Sequence, residues 1–103
     1  MNLPNKKVAV LLAAHNGINW IEEQVHSILE QRDVDVRLII SDDGSTDGTY
    51  PLVKQLAKTD ARVTLLSDHS AVNGAGKNFY RLIRQADILD ADFVAFADQD
   101  DIW

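Results

Sequence analysis

Asp98, Asp100 and Asp101 follow directly on the apolar run Phe93-Val94-Ala95-Phe96-Ala97. That run reads as a strand too buried to alternate, and acids at its mouth are costly. Two unit charges about 4 Å apart repel by roughly 4 kcal/mol at an effective dielectric near 20. A divalent cation, or a polyphosphate carried with one, would neutralise the cluster. A solvated acidic turn is the alternative.

A second acidic group lies in Asp42-Asp43-Gly44-Ser45-Thr46-Asp47-Gly48-Thr49. A carboxylate directed over a sheet edge can accept from an amide-like N–H, such as that of uracil, or from ribose hydroxyls. Asp43 is the residue here read as touching ligand. Gly44 permits a tight turn, and Ser45, Thr46 or Asp47 can cap the next helix. His15 and Asn16 end an earlier apolar run. His15 can serve as a base or metal ligand, or simply line the edge with its ring satisfied by backbone. Asn16 can reach a nucleotide or close the turn. Gly74-Ala75-Gly76-Lys77-Asn78 fails as a Walker loop, because Ala71 stands where the first glycine belongs and Asn78 replaces the magnesium-holding Ser or Thr. A glycine-containing loop entering a helix remains, which is a generic anion seat with Lys77 near it.

These residues need elements to bring them together. Lys7 to Ala14 reads as a central parallel strand. Ile18, Ile21, Val25, Ile28 and Leu29 recur at helical spacing to about Gln31, with Glu22 and Glu23 in the first turn. Val36 to Ile40 is the second strand, and Thr49 to Lys58 a short helix with Pro51 in its first turn. Val63 to Leu66 is a brief strand. Ser67 to Gly76 is a loop. Lys77 to Ile88 is a helix with Phe79, Leu82, Ile83 and Ala86 inward, and Phe93 to Ala97 is the fourth strand. This alternation predicts an α/β fold: a parallel sheet with right-handed crossovers and helices on both faces. Ligands then sit beyond the carboxyl ends of the strands, where strand order reverses. His15, Asn16, Asp42, Asp43, Asp98 and Asp100 all fall at those ends.

Bulk properties exclude several classes. At 103 residues one domain is expected. A net charge of −6 offers no basic stripe for nucleic acid. Without cysteine there is no disulfide, thiolate metal site or thiol nucleophile. No apolar run approaches the roughly 20 residues of a transmembrane segment, and the first residues lack the apolar centre of a signal peptide. The cytoplasm is the default location.

Val8 to Asn16, Asp42 to Thr49, Gly74 to Phe79 and Phe96 to Trp103, taken together and in order, resemble glycosyltransferase family 2. The resemblance implies a Rossmann-like GT-A fold, three-layer α/β/α, with residues 1–103 as the nucleotide-sugar-binding half. It implies a UDP- or dTDP-sugar donor, a saccharide or lipid-linked acceptor, and Mg²⁺ or Mn²⁺. By match of position, Ala13 and His15 would border the base and Asp43 would bond the uracil or thymine ring. Lys77 would lie near the base or diphosphate. Asp98 and Asp100 would be the metal-and-ribose pair. Asp-Gln-Asp-Asp-Ile-Trp looks most like bacterial surface-polysaccharide enzymes, rhamnosyltransferases among them. Where the family often has an Asn two residues before the glycine of the third motif, this sequence has Val72. The resemblance also implies that the acceptor site and the general base for inversion lie beyond Trp103. The sheet would then end after its fourth strand, with an exposed edge open to homodimerisation. Residues 1–103 alone would bind donor without transferring sugar, and the full-length enzyme would be cytoplasmic or peripheral at the inner membrane face. Two rival readings are a nucleotide-binding or self-association module without catalysis, and a receiver-type Mg²⁺-binding signalling domain. The latter needs an acid pair after the first strand, where this sequence has His15 and Asn16.

Overall fold

The computed structural model describes residues 5–98. Its elements run β1 (Lys6–Ala14), α1 (Ile21–Leu29), β2 (Val34–Asp42), α2 (Thr49–Thr59), β3 (Val63–Leu65), α3 (Ala75–Gln85) and β4 (Phe93–Asp98). All strands are parallel, in the order β3-β2-β1-β4. Right-handed crossovers explain which side each helix takes. The chain steps outward from β1 to β2 to β3 through α1 and α2. It then returns across the sheet through α3 to place β4 on the other side of β1.

β1 is the buried centre, and its continuous apolar run faces two cores. Val10, Leu12 and Ala14 pack with Ile21, Val25 and Ile28 of α1 and Val53 of α2. Ala9, Leu11 and Ala13 pack on the other face with Ile39 and with Leu82 of α3. The three-layer α/β/α architecture expected from the sequence is present. Among the described residues no helix is long and apolar enough to cross a membrane.

Three expectations need correction. The first helix begins at Ile21 rather than Ile18, because Gly17 to Trp20 forms a turn in which the Gly17 carbonyl accepts from Trp20 and Ile21 N–H. The backbone N–H of Ile18 is instead bound by the Asp47 carboxylate, and its side chain is 36% exposed. The last helix starts two residues earlier, at Ala75, and its Ile83 faces outward. The fourth strand is not buried on both faces. Among the described residues β4 pairs with β1 alone, and Phe93 and Phe96 are 59% and 53% exposed. Only Ala97 is fully inside. Phe96 makes an edge-to-face contact with Phe79 of α3, at 5.5 Å between ring centres.

Candidate functional site at the strand-order reversal

Strand order reverses between β1 and β4, and a cavity of about 360 Å³ opens there. Ala13, Ala14, His15, Asp43, Asn73, Gly74, Ala75, Asn78 and Asp98 line it. The register explains the gathering. Ala14 pairs with Asp42 and Ala13 with Asp98, so the end of β1 separates the two acidic strand ends. Asp43 follows one residue beyond, its N–H bonded to the Ala14 carbonyl at 2.8 Å.

Asp43 is 4% exposed, and its carboxylate is gripped by a loop. Oδ1 accepts from the N–H of Val72 at 2.5 Å and Asn73 at 3.1 Å, and Oδ2 from Gly74 at 3.0 Å. These bonds use three of the roughly four acceptor positions of a carboxylate. Burial pushes the Asp43 carboxyl up, but the Gly74, Val72 and Asn73 amides and the nearby His15 outweigh it and hold the group below its ordinary value. A depressed folded value stabilises the fold fully above the unfolded reference of about 3.9 and loses that effect as pH falls through the lower value. Amide NMR signals of residues 72–74 should therefore hold their native positions down to about pH 4 and move only in stronger acid.

The loop approaches closely because Gly44 has φ +54. A Cβ there would stand 2.9 Å from the Ala71 Cβ, and the Gly44 N–H donates to the His69 carbonyl at 3.1 Å. Gly44→Ala should lower unfolding free energy by roughly 2 to 4 kcal/mol in denaturant titration, from left-handed strain and overpacking together.

His15 lies within 2.6 Å of the Asp43 carbonyl through Nδ1. That oxygen can only accept, so Nδ1 carries the proton. In the neutral ring Nε2 accepts from Asn16 Nδ2 at 3.4 Å. His15 is thus partly committed to holding Asp43, while still bordering the cavity.

Ala13, His15, Asp43 and Asp98 are brought together as the sequence suggested. Three other residues singled out from the sequence are not among the described lining of the cavity. Asp42 is fully buried, and its carboxylate accepts from Ser45 N–H at 2.9 Å and Ser45 Oγ at 2.5 Å, closing the turn. Asn16 accepts from Thr46 N–H through Oδ1 and donates its own N–H to Ser45 Oγ. Lys77 borders a separate groove on the outer side of α3, with Tyr80 and Arg84. Asp47 also acts within the turn region, accepting from Thr49 Oγ1 and Ile18 N–H. Asp100 lies outside the described residues.

Two residues escaped the sequence reading. Gln24 of α1 is fully buried and donates from Nε2 to the Asp98 carbonyl at 2.7 Å, setting the end of β4. Arg81 of α3 is buried behind Ser41 and Asp42. The available signal was positional: each polar residue sits on the inward stripe of its helix, Gln24 beside Ile21 and Val25, Arg81 beside Asn78 and Leu82.

Carboxylate oxygens suit Mg²⁺ and Mn²⁺. Asp98 is exposed at the cavity with its main chain anchored by Gln24, which fits a metal-bearing position. Among the described residues, no three metal-capable side chains come together.

An open parallel sheet with an acid-lined cavity at its reversal point defines a doubly wound, Rossmann-like domain. The chain belongs to glycosyltransferase family 2, whose model, described as Glycosyl transferase family 2, matches residues 9–103. It is 46% identical over 93 residues to the dTDP-rhamnosyl transferase RfbG of Shigella flexneri, covering 89% of this chain and 32% of that protein. The mannosyltransferase PcManGT of Pyrobaculum calidifontis, in complex with GDP-Man and Mn²⁺, superposes with a TM-score of 0.78 at 26% identity, over 96% of this chain and 29% of that one. Staphylococcus aureus TarS 1-349 in complex with UDP-GlcNAc gives a TM-score of 0.75 at 25% identity, over 91% and 26%. The chain spans about a third of the length of such curated relatives.

Proposed function

We propose that this chain is the donor-binding part of an inverting, metal-dependent glycosyltransferase of bacterial surface-polysaccharide synthesis. The donor is a UDP- or dTDP-sugar and the acceptor a saccharide or lipid-linked saccharide. One observation carries the reading: Asp43 and Asp98, distant in sequence, line a single cavity at the strand-order reversal. Its volume, about 360 Å³, falls in the range of small-molecule sites.

Asp43 accepts the ring N–H of uracil or thymine through its remaining acceptor capacity, with Ala13 and His15 beside the base. The grip of residues 72–74 keeps that carboxylate ionised and oriented, so little reorganisation is needed on binding. The amino end of α3 opens on the cavity and gives it a positive lip suited to an anionic diphosphate. Asp98 and Asp100 hold the divalent cation, which supplies charge stabilisation for the leaving diphosphate. The general base comes from the part of the family's length that this chain does not span, so residues 1–103 alone bind donor without transferring sugar. Edge strand β4, with Phe93 exposed on one face of the sheet and Phe96 on the other, supplies the edge through which the isolated segment self-associates. The full-length protein works in the cytoplasm, peripheral to the inner membrane face.

RfbG's description as a dTDP-rhamnosyl transferase favours a dTDP-linked donor within this class. Calorimetric titration of the full-length protein with UDP, dTDP and GDP, with and without Mn²⁺, tests the proposal. UDP or dTDP should bind, and Mn²⁺ should tighten binding. Absence of binding, or binding indifferent to metal, would overturn it.

A further inference from the structure

Arg81 carries a charge into the interior that the proposed chemistry does not use. It is 5% exposed on the inward face of α3. Its guanidinium reaches two other segments. Nε donates to Ser41 Oγ at 2.9 Å and Nη2 to the Asp42 carbonyl at 2.6 Å, both at the end of β2. Nη1 donates to the Ser70 carbonyl at 2.8 Å, with Ser70 Oγ at 3.3 Å and the Asp68 carboxylate at 3.4 Å alongside. Nη2 also approaches Asn78 Oδ1 at 3.4 Å. Asn78, itself fully buried, donates to the carbonyls of Ala14 and Ser41 at 3.2 and 3.0 Å.

One planar group therefore ties α3 both to the residues preceding Asp43 and to the loop whose later amides grip the Asp43 carboxylate. Burying a cation is costly, and an apolar side chain of similar volume often gives equal or better stability. Asp68, the carboxylate beside it, is itself partly exposed. What an apolar residue cannot supply is a rigid five-donor fork that sets the angle between two backbone segments.

We propose that Arg81 is a positioning residue for nucleotide recognition: through the Asp42 carbonyl and the Ser70 segment it orients the Asp43 carboxylate, and so sets the preference for a base bearing a ring N–H. The inference rests on the donor-binding reading above. UDP presents an N–H at the ring position where CDP presents an acceptor, so the ratio of their affinities reports the orientation of Asp43.

The experiment measures Kd for UDP and CDP by calorimetry in the full-length protein, as wild type, Arg81→Lys, Asp43→Asn and the double variant. Wild type should prefer UDP. Arg81→Lys should weaken UDP roughly tenfold, the size of one charge-assisted hydrogen bond, and leave CDP unchanged. In the Asp43→Asn background the same change should cause no further loss. A role in stability alone would weaken both nucleotides alike and keep the ratio, which overturns the inference, as does full additivity of the two substitutions. Should Arg81→Lys lose its native circular dichroism, Ser41→Ala decides: a smaller fall in the UDP/CDP ratio supports the inference, and an unchanged ratio overturns it. A wild type that binds neither UDP nor dTDP, or shows no preference over CDP for the one it binds, overturns the donor reading itself, and that failure is seen without any variant; where dTDP alone binds, it replaces UDP throughout.

Discussion

Asp43→Ala in the full-length protein should weaken UDP or dTDP binding by at least about tenfold, with CDP affected least. Losing a hydrogen bond to an ionised partner costs about 1.5 to 3 kcal/mol, and each 1.4 kcal/mol is tenfold in Kd. A second loss adds to it. The amides of Val72, Asn73 and Gly74 share this carboxylate, so the loop that shapes the cavity loses its anchor. Water can replace part of that anchor, because Asn73 and Gly74 are exposed, and the stability cost should stay near about 1 to 2 kcal/mol. Asp43→Asn separates the two effects. Its amide oxygen can still hold part of the loop, while its NH₂ confronts either Gly74 N–H or the ring N–H with a second donor. UDP titration together with denaturant unfolding of both variants checks this. Unchanged UDP affinity in both would remove Asp43 from the site.

Asp98→Ala should leave the fold intact and lower sugar transfer by about 10² to 10³, the usual effect of removing one preorganised electrostatic contact. The fold survives because β4 is fixed at this point through its main chain. Gln24 holds the Asp98 carbonyl, and Ala13 pairs with Asp98 in the ladder. The side chain is exposed at the cavity and can be removed without opening the core. Donor binding by the variant should no longer respond to Mn²⁺. Thermal unfolding, transfer assays and UDP titration with and without metal read the three effects separately. A variant of normal stability that keeps full metal-dependent transfer would contradict the assignment.

Much of the scaffold was legible before any coordinates. Apolar runs ending in polar turns mark the strands, and their alternation with helical stripes dictates a parallel sheet whose ends collect Asp43 and Asp98. Three features were less accessible, each for a physical reason. Periodicity registers an apolar residue without saying what covers it, so Ile18, Ile83 and the faces of β4 read as interior. A polar residue on an inward stripe looks like a break in the pattern. The carbonyls that satisfy Gln24 and Arg81 lie 74 and 39 positions away, so only the folded topology reveals their roles. The grip on Asp43 depends on backbone conformation, with Asn73 at φ 60 and Gly74 at φ 150, which residue type permits but does not specify. Family resemblance located the motif residues but not their present use. Asp42 serves the turn beside Asp43, and Lys77 turns toward the outer groove of α3.

A crystal structure of the full-length protein with UDP and Mn²⁺ bears on the central claim most directly. The pyrimidine ring should lie between the end of β1 and the Asn73-Gly74 segment, its N–H about 3 Å from the Asp43 carboxylate, with the ion at Asp98. A nucleotide seated elsewhere, with Asp43 still bound only by the loop, would contradict the account.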